Sequence, residues 1–167
     1  MRSRFVKTLS MLAAIVTLVV VSATPASAET GYYWATNRTG RSCLDFSGQF
    51  GFRVFPCNGD QRYQYLYYRR PWANSPDVYQ IRGNPASGRP NTCITSAGNG
   101  SPVYSDPCAA FSSQYFTIRY ANGWAYFDSI SHPGLCLTKS STLTNGGNVL
   151  RTEPCAGRTE QYWVFSQ

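Results

Sequence analysis

The segment Gln161-Tyr162-Trp163 near the end of the chain recurs upstream in two variants, Gln64-Tyr65-Leu66 and Gln114-Tyr115-Phe116. The three copies are separated by 50 and 47 residues, and each follows a cysteine by six or seven positions. Self-similarity at such a period is typical of a repeat architecture, in which no unit buries its apolar face alone. The pattern therefore predicts three copies of one unit that share a single core.

A second repeated element supports this division of the chain. Its copies are Cys43-Leu44-Asp45, Cys93-Ile94-Thr95 and Cys136-Leu137-Thr138, and a further cysteine follows each after 14, 15 or 19 residues. Six cysteines permit 15 connectivities, but equivalent units should close equivalent loops. The sequence thus predicts the disulfides Cys43–Cys57, Cys93–Cys108 and Cys136–Cys155, each worth about 3 kcal/mol by the chain-entropy model.

Between these anchors, short runs rich in aromatic and β-branched residues alternate with turn signals such as Asn58-Gly59 and Asn122-Gly123. The clearest strand candidates are 32–36, 78–82, 114–120, 124–127 and 161–165. With four strands in each unit, we expect about twelve strands in a closed threefold barrel. The apolar residues of the Gln-Tyr-apolar segments should point inward, and their glutamines should bond to the backbone.

The first 28 residues have the order of a secretory signal peptide. Three basic residues precede the apolar run 11–21, and the small-residue site Ala26-Ser27-Ala28 follows. The run is shorter than the roughly 20 residues that span a bilayer, so we expect export rather than membrane insertion. The remaining residues, 29–167, are the length of one domain.

Charge and composition exclude several classes of function. The leader holds three of the 15 basic residues and none of the eight acidic ones, so removing it lowers the net charge from +7 to +4. The remaining arginines are scattered, which does not favour nucleic-acid binding. With His132 as the single histidine and no Cys-x-x-Cys spacing, we expect no metal site, no cofactor and no catalytic centre.

The two repeated elements resemble those of the ricin-B-type β-trefoil lectins, whose mark is three copies of Cys-apolar-Asp, a second cysteine and Gln-x-Trp. The resemblance covers residues 32–167 and implies an all-β β-trefoil with up to three shallow sugar pockets. Only Trp163 keeps the tryptophan, while Phe116 and Leu66 replace it elsewhere. The implied function is that of a secreted, non-catalytic, monomeric module that binds a glycan or wall polysaccharide.

The first unit best matches the sugar pocket of that family. Asp45 stands where the family has its sugar-binding carboxylate, and Phe55 stands at the stacking aromatic. The expected carbohydrate-binding set comprises Asp45, Arg53, Phe55, Asn58, Tyr63 and Gln64. Arg53 and Tyr63 depart from the family pattern, and Arg53 favours anionic sugars. Asp45 is equally well explained as a capping carboxylate, and Asn58-Gly59 as a turn.

The other two units match the pocket poorly. Thr95 and Thr138 replace the aspartate, and Asp106 and Glu153 stand where an aromatic ring is expected. The alternative function is therefore a protein-interaction or inhibitor scaffold, with a separate secreted protein as its partner. Its contacts would come from loops such as 69–72, which contains Trp72, and 84–91.

The leader generates the first testable prediction. Secretion should remove residues 1–28, because the small residues before Glu29 fit the signal-peptidase site. Intact-mass measurement of the protein recovered from the medium of a secreting host should give a chain that starts near Glu29. Recovery of the full 167-residue chain from the membrane fraction would contradict this.

Overall fold

The computed structural model describes residues 31–71, 74–75 and 77–166, so the predicted leader and Trp72 lie outside it. The strands of the first repeat are β1 (Gly31–Asn37), β2 (Ser42–Ser47), β3 (Gly51–Pro56) and β4 (Leu66–Arg69). Those of the second are β5 (Val78–Arg82), β6 (Thr92–Thr95), β7 (Tyr104–Pro107) and β8 (Tyr115–Ala121). Those of the third are β9 (Trp124–Ser129), β10 (Leu135–Thr144), β11 (Gly147–Pro154) and β12 (Trp163–Ser166).

Helical structure in this part of the chain is limited to single turns. One α-helical turn, α1, spans Gln61–Gln64, and 3-10 turns span Pro85–Ser87, Ser112–Gln114 and Thr159–Gln161. No helix within the described ranges is long and apolar enough to cross a membrane.

The first and last strands of the three repeats form a closed ring. Its order is β1, β12, β9, β8, β5 and β4, which pairs again with β1, and every pairing is antiparallel. The middle strands of each repeat form hairpins outside the ring, β2–β3, β6–β7 and β10–β11. Backbone contacts such as Val103 N to Leu150 O, 3.0 Å, join neighbouring hairpins. This architecture is a β-trefoil, as the sequence predicts.

The three disulfides close the hairpins as predicted. Cys43 bonds to Cys57, Cys93 to Cys108 and Cys136 to Cys155. Each bridge therefore lies within one repeat, and the threefold relation holds at the level of the covalent chain as well as the fold.

The core fills the ring with equivalent positions of unequal size. The apolar residues of the three Gln-Tyr-apolar segments, Leu66, Phe116 and Trp163, are fully buried, as predicted. A neighbouring layer contains Ala35, Ile81 and Phe127, which are also fully buried. The smallest members of both layers belong to the first repeat and the largest to the third. Because interiors are close-packed, a large side chain from one repeat must be balanced by small ones from another.

Each closing glutamine bonds to the backbone on both sides of the second cysteine of its repeat. In the third repeat, Gln161 Nε2 donates to Pro154 O at 2.8 Å, and Gln161 Oε1 accepts from Ala156 N at 2.9 Å. The same pair of bonds recurs for Gln64 with Pro56 and Asn58, and for Gln114 with Pro107 and Ala109. These bonds confirm the prediction for the glutamines, and we call each set a glutamine clamp.

The clamps also correct two predicted strand boundaries. Gln114 and Gln161 were expected to begin strands, but each ends a 3-10 turn, and the strands begin at Tyr115 and Trp163. Each glutamine side chain bonds to backbone groups that come earlier in the chain. The glutamine therefore lies in a turn, because an extended backbone would move its side-chain amide out of bonding distance.

Loss of one clamp should destabilise the whole domain. Gln161→Ala removes a buried side-chain amide together with its bonds to Pro154 O and Ala156 N, so we expect the free energy of unfolding to fall by about 2 kcal/mol. Urea denaturation followed by tryptophan fluorescence measures this change. Gln49→Ala, at an exposed position, is the matched control and should leave the midpoint unchanged. Equal stability of the two variants would contradict a clamp role.

Candidate functional site

The hairpin of the first repeat brings two predicted site residues together. Asp45 on β2 lies directly opposite Arg53 on β3, because the hairpin register pairs them. Arg53 Nε donates to Asp45 Oδ1 at 2.9 Å. Asp45 is 1% exposed and Arg53 is 8% exposed, so the ion pair forms the floor of this site rather than its surface.

Arg53 is held on several further sides. Its Nη1 donates to Asn145 O, 2.7 Å away at the tip of the β10–β11 hairpin. Its guanidinium carbon lies 4.3 Å from the centre of the Phe55 ring and 5.1 Å from that of Phe50. Such cation–π contacts are favourable, and more so when partly desolvated. The guanidinium therefore lies close to two aromatic rings, pairs with a buried carboxylate and bonds to the tip of the β10–β11 hairpin, which forms a rim from the third repeat.

Glycine allows that rim to come so close. A β-carbon at Gly147 would lie 2.9 Å from Val54 O and 3.2 Å from Arg53 Cδ. Neither neighbour can move away without loss of stabilising contacts. The Val54 carbonyl oxygen belongs to the β3 backbone, and Arg53 is held by the contacts described above. Close approach of backbone to a neighbouring element is one of the reasons for which a chain uses glycine.

The remaining predicted site residues have partners of their own. Gln64 is fully buried and forms the clamp of the first repeat. The Asn58 side chain accepts a hydrogen bond from Asp60 N at 3.0 Å. This bond fits the interpretation of Asn58-Gly59 as a turn. Tyr63 is half-buried, with the Arg62 guanidinium 5.2 Å from its ring centre.

Sequence reasoning missed Phe50 and the hairpin tip at Asn145. Phe50 is 42% exposed and lies in the β2–β3 turn, five residues after Asp45, the last residue of the Cys-apolar-Asp element. Asn145 is 92 residues from Arg53 in the chain. A contact between repeats leaves no local signal in the sequence.

The other repeats use the equivalent positions differently. Thr95 and Thr138 each accept a bond from Nε2 of their clamp glutamine, at 3.2 and 3.1 Å. Arg151 lies opposite Thr138 as Arg53 lies opposite Asp45, and its Nη1 donates to Gly100 O at 3.0 Å. Arg151 Nε, however, is buried without a hydrogen-bond partner among the described residues, because threonine stands where the first repeat has its carboxylate. The ion pair thus distinguishes the first repeat.

The His132 ring forms hydrogen bonds with two serine hydroxyls. Its Nδ1 lies 2.8 Å from Ser131 Oγ and 3.1 Å from Ser96 Oγ. Among the residues that the structure describes, no three histidine, cysteine or acidic side chains are grouped as a metal site would require.

Solved structures share this fold at low sequence identity. The chain is similar to a mosquitocidal holotoxin (TM-score 0.69, 16% identity), covering 83% of this chain and 17% of that one. It is similar to the designed threefold-symmetric protein ThreeFoil (TM-score 0.66, 17% identity), covering 82% of this chain and 99% of that one. It is also similar to a Polyporus squamosus lectin solved with the epitope Neu5Aca2-6Galb1-4GlcNAc (TM-score 0.65, 16% identity), covering 83% and 49%.

These similarities establish the β-trefoil fold and its threefold relation, and no more, because the identities are so low. The chain spans about a sixth of the holotoxin and half of the lectin. No protein-family model matches the sequence, and no curated protein matches it either.

The buried ion pair generates a prediction on pH dependence. Burial raises the pKa of Asp45 above its ordinary value of 3.8, and the bond from Arg53 offsets this only in part. The folded chain therefore holds the Asp45 proton more tightly than the unfolded chain does. The stability of the wild type relative to Asp45→Asn should fall as the pH rises from below 3.8 through the folded-state pKa, and then level off.

Asp60 supplies a control of opposite sign. A hydrogen bond from Arg62 lowers the pKa of Asp60 below its ordinary value of 3.8, so the wild type should gain stability relative to Asp60→Asn as the pH rises from the lowered folded-state pKa through 3.8, a window just below that of Asp45. Urea unfolding of both variants at several pH values measures the two trends. A rise with pH for the Asp45 pair would contradict the assignment.

Proposed function

We propose that the protein is an exported, non-catalytic module that binds glycans mainly through its first repeat. The Polyporus squamosus lectin shares the fold and holds a sialylated trisaccharide, which supports a glycan as the ligand. Three disulfides fit a protein that works in an oxidising compartment.

The observation that carries this proposal is the guanidinium of Arg53 close to the rings of Phe50 and Phe55. Rings offer a face or edge on which the C–H bonds of a sugar pack, and a held guanidinium donates directional bonds to hydroxyl or carboxylate oxygens. Asp45 and Asn145 O bond to Nε and Nη1 of Arg53, which leaves Nη2 without a hydrogen bond inside the described structure. That group is the natural donor to a ligand.

The predicted site residues then take different roles. Phe50 and Phe55 would contact the sugar, and Asn58 and Tyr63 would add polar contacts beside them. Asp45 and Gln64 are buried, so they would position Arg53 and the hairpin rather than touch the ligand. The carboxylates Asp106 and Glu153 at the positions equivalent to Phe55 give the other repeats no such platform. A single shallow site predicts weak affinity.

The alternative, a protein-interaction scaffold, has support from a different surface. Phe111 is 66% exposed in the loop that follows Cys108, and Tyr104 on β7 is 59% exposed. Exposed aromatics of this kind are typical anchors for a protein partner. The 84–91 loop is held in place by Asn84, which donates to Tyr65 O at 3.2 Å and caps the 3-10 turn at Ala86 N.

A glycan array on the purified mature chain tests the proposal. Phe50→Ala should reduce binding of the best glycan at least tenfold, because it removes exposed ring surface without disturbing the core. Phe111→Ala, an exposed phenylalanine of another repeat, is the matched control and should bind as the wild type does. Loss of binding in Phe111→Ala alone would move the site to the scaffold surface, and an array without any binding would refute the glycan function.

A further inference from the structure

The junctions between consecutive repeats offer a comparison within one molecule. At each junction the last strand of one repeat pairs with the first strand of the next, in the same register. Asp128, Arg82 and Thr36 are equivalent by this register, since they lie opposite Thr117, Tyr67 and Val164. Two positions after Thr117, Tyr67 and Val164 in the chain lie Arg119, Arg69 and Ser166, respectively.

These equivalent pairs differ in charge. At the junction of the second and third repeats, Arg119 Nε bonds to Asp128 Oδ2 at 3.2 Å. The junction of the third and first repeats carries two hydroxyl residues, Ser166 and Thr36. The junction of the first and second carries two arginines, Arg69 and Arg82. An arginine thus stands where an equivalent junction has the carboxylate of an ion pair.

Both arginines line one cleft, here named the junction cleft. It has a volume of about 300 Å³, and the side chains of Arg69, Pro71, Gln80, Arg82, Ala110 and Tyr115 are among those that line it. No acidic residue lines the cleft, and none of the ion pairs among the described residues includes Arg69 or Arg82. The positive charge of this cleft is therefore unmatched by a neighbouring carboxylate.

Arg82 is held in position by the clamp of the second repeat. Its Nε and Nη2 donate to Gln80 Oε1 at 3.1 and 2.7 Å. Gln80 Nε2 in turn donates to Ala109 O at 2.8 Å and to Gln114 Oε1 at 3.0 Å. Arg82 Nη1 also donates to Asn91 Oδ1 at 3.5 Å. A guanidinium has five N–H donors, so these three bonds orient Arg82 and leave two donors for a ligand.

The electrostatics of Arg82 agree with an uncompensated pair. Partial burial lowers the pKa of the Arg82 guanidinium, and repulsion from Arg69 lowers it further. Like charges held close together on neighbouring strands are unfavourable unless an anion lies between them.

We propose that the junction cleft binds an oxyanion, namely the sulfate ester or carboxylate of an acidic saccharide. Guanidinium groups recognise such oxygens through paired, charge-assisted hydrogen bonds. Pro71 and Ala110 supply an apolar wall for the ring that carries the anion. The saccharide part of this inference rests on the proposed glycan function, while the oxyanion part stands on the two arginines alone.

The equivalent junction suggests the decisive variant. Arg82→Asp should recreate at Arg69 the ion pair that Arg119 forms with Asp128, and so close the cleft to anions without loss of fold. Arg41→Asp removes the same charge at an exposed turn outside the cleft, where a positive φ of 49° suits aspartate. Circular dichroism melting checks that both variants fold.

Three probes are titrated by NMR and calorimetry at low ionic strength: inorganic sulfate, dextran sulfate oligosaccharides and oligogalacturonate, with unsulfated dextran as the neutral reference. Arg82→Asp should weaken binding of sulfate and of at least one acidic oligosaccharide tenfold or more, and Arg41→Asp less than twofold. The stronger oligosaccharide identifies a sulfate ester or a carboxylate as the group recognised.

Each other outcome has a distinct meaning. Equal losses of affinity in Arg82→Asp and Arg41→Asp would overturn the proposal that the cleft binds the anion, because net charge alone would then explain binding. Acidic saccharides that bind Arg82→Asp normally but fail with Phe50→Ala would overturn the cleft and leave the proposed function standing. Binding of inorganic sulfate at the cleft, with no glycan bound by any variant, would support the oxyanion site and overturn both the saccharide and the proposed function.

Discussion

The glutamine clamp is the interaction on which the rest of the structure depends. In each repeat one amide bonds to the backbone on both sides of the second cysteine, and the apolar residue two positions later enters the core of the ring. A buried amide without partners is costly, so the hairpin, the disulfide and the ring strand must adopt one mutual arrangement. Repetition of this arrangement three times produces the β-trefoil.

Because the frame is the same three times, the differences between its copies identify where function lies. The residue after the Cys-apolar pair accepts a bond from the clamp glutamine in the second and third repeats, where it is threonine. Only the first repeat uses an aspartate there, and its charge brings Arg53 under the rim of the third repeat. At the repeat junctions, Arg82 replaces the carboxylate of an ion pair. Both departures from symmetry leave a guanidinium group held in a fixed orientation by its neighbours.

Much of the fold could be predicted from the sequence because its determinants are local and repeated. The bounds of β5 (Val78–Arg82) and all three disulfides agree with prediction, and the inward direction of Trp163 follows from the repeat. The candidate site was predictable only in part. Asp45 and Arg53 face each other through hairpin register, but the bond from Arg53 to Asn145 O reaches into another repeat.

The sequence by itself determined the number of units, the pairing of the cysteines and the residues that enter the core, since each depends on spacing within one unit. Only the tertiary structure decided which polar groups are buried and which remain available, because closure of the ring brings residues of different repeats together. The Arg53 environment and the Arg69–Arg82 cleft both arise at such contacts. Residues that are far apart in the chain show no sequence pattern that predicts their contact. Their distances are set by the packing of the repeats against one another.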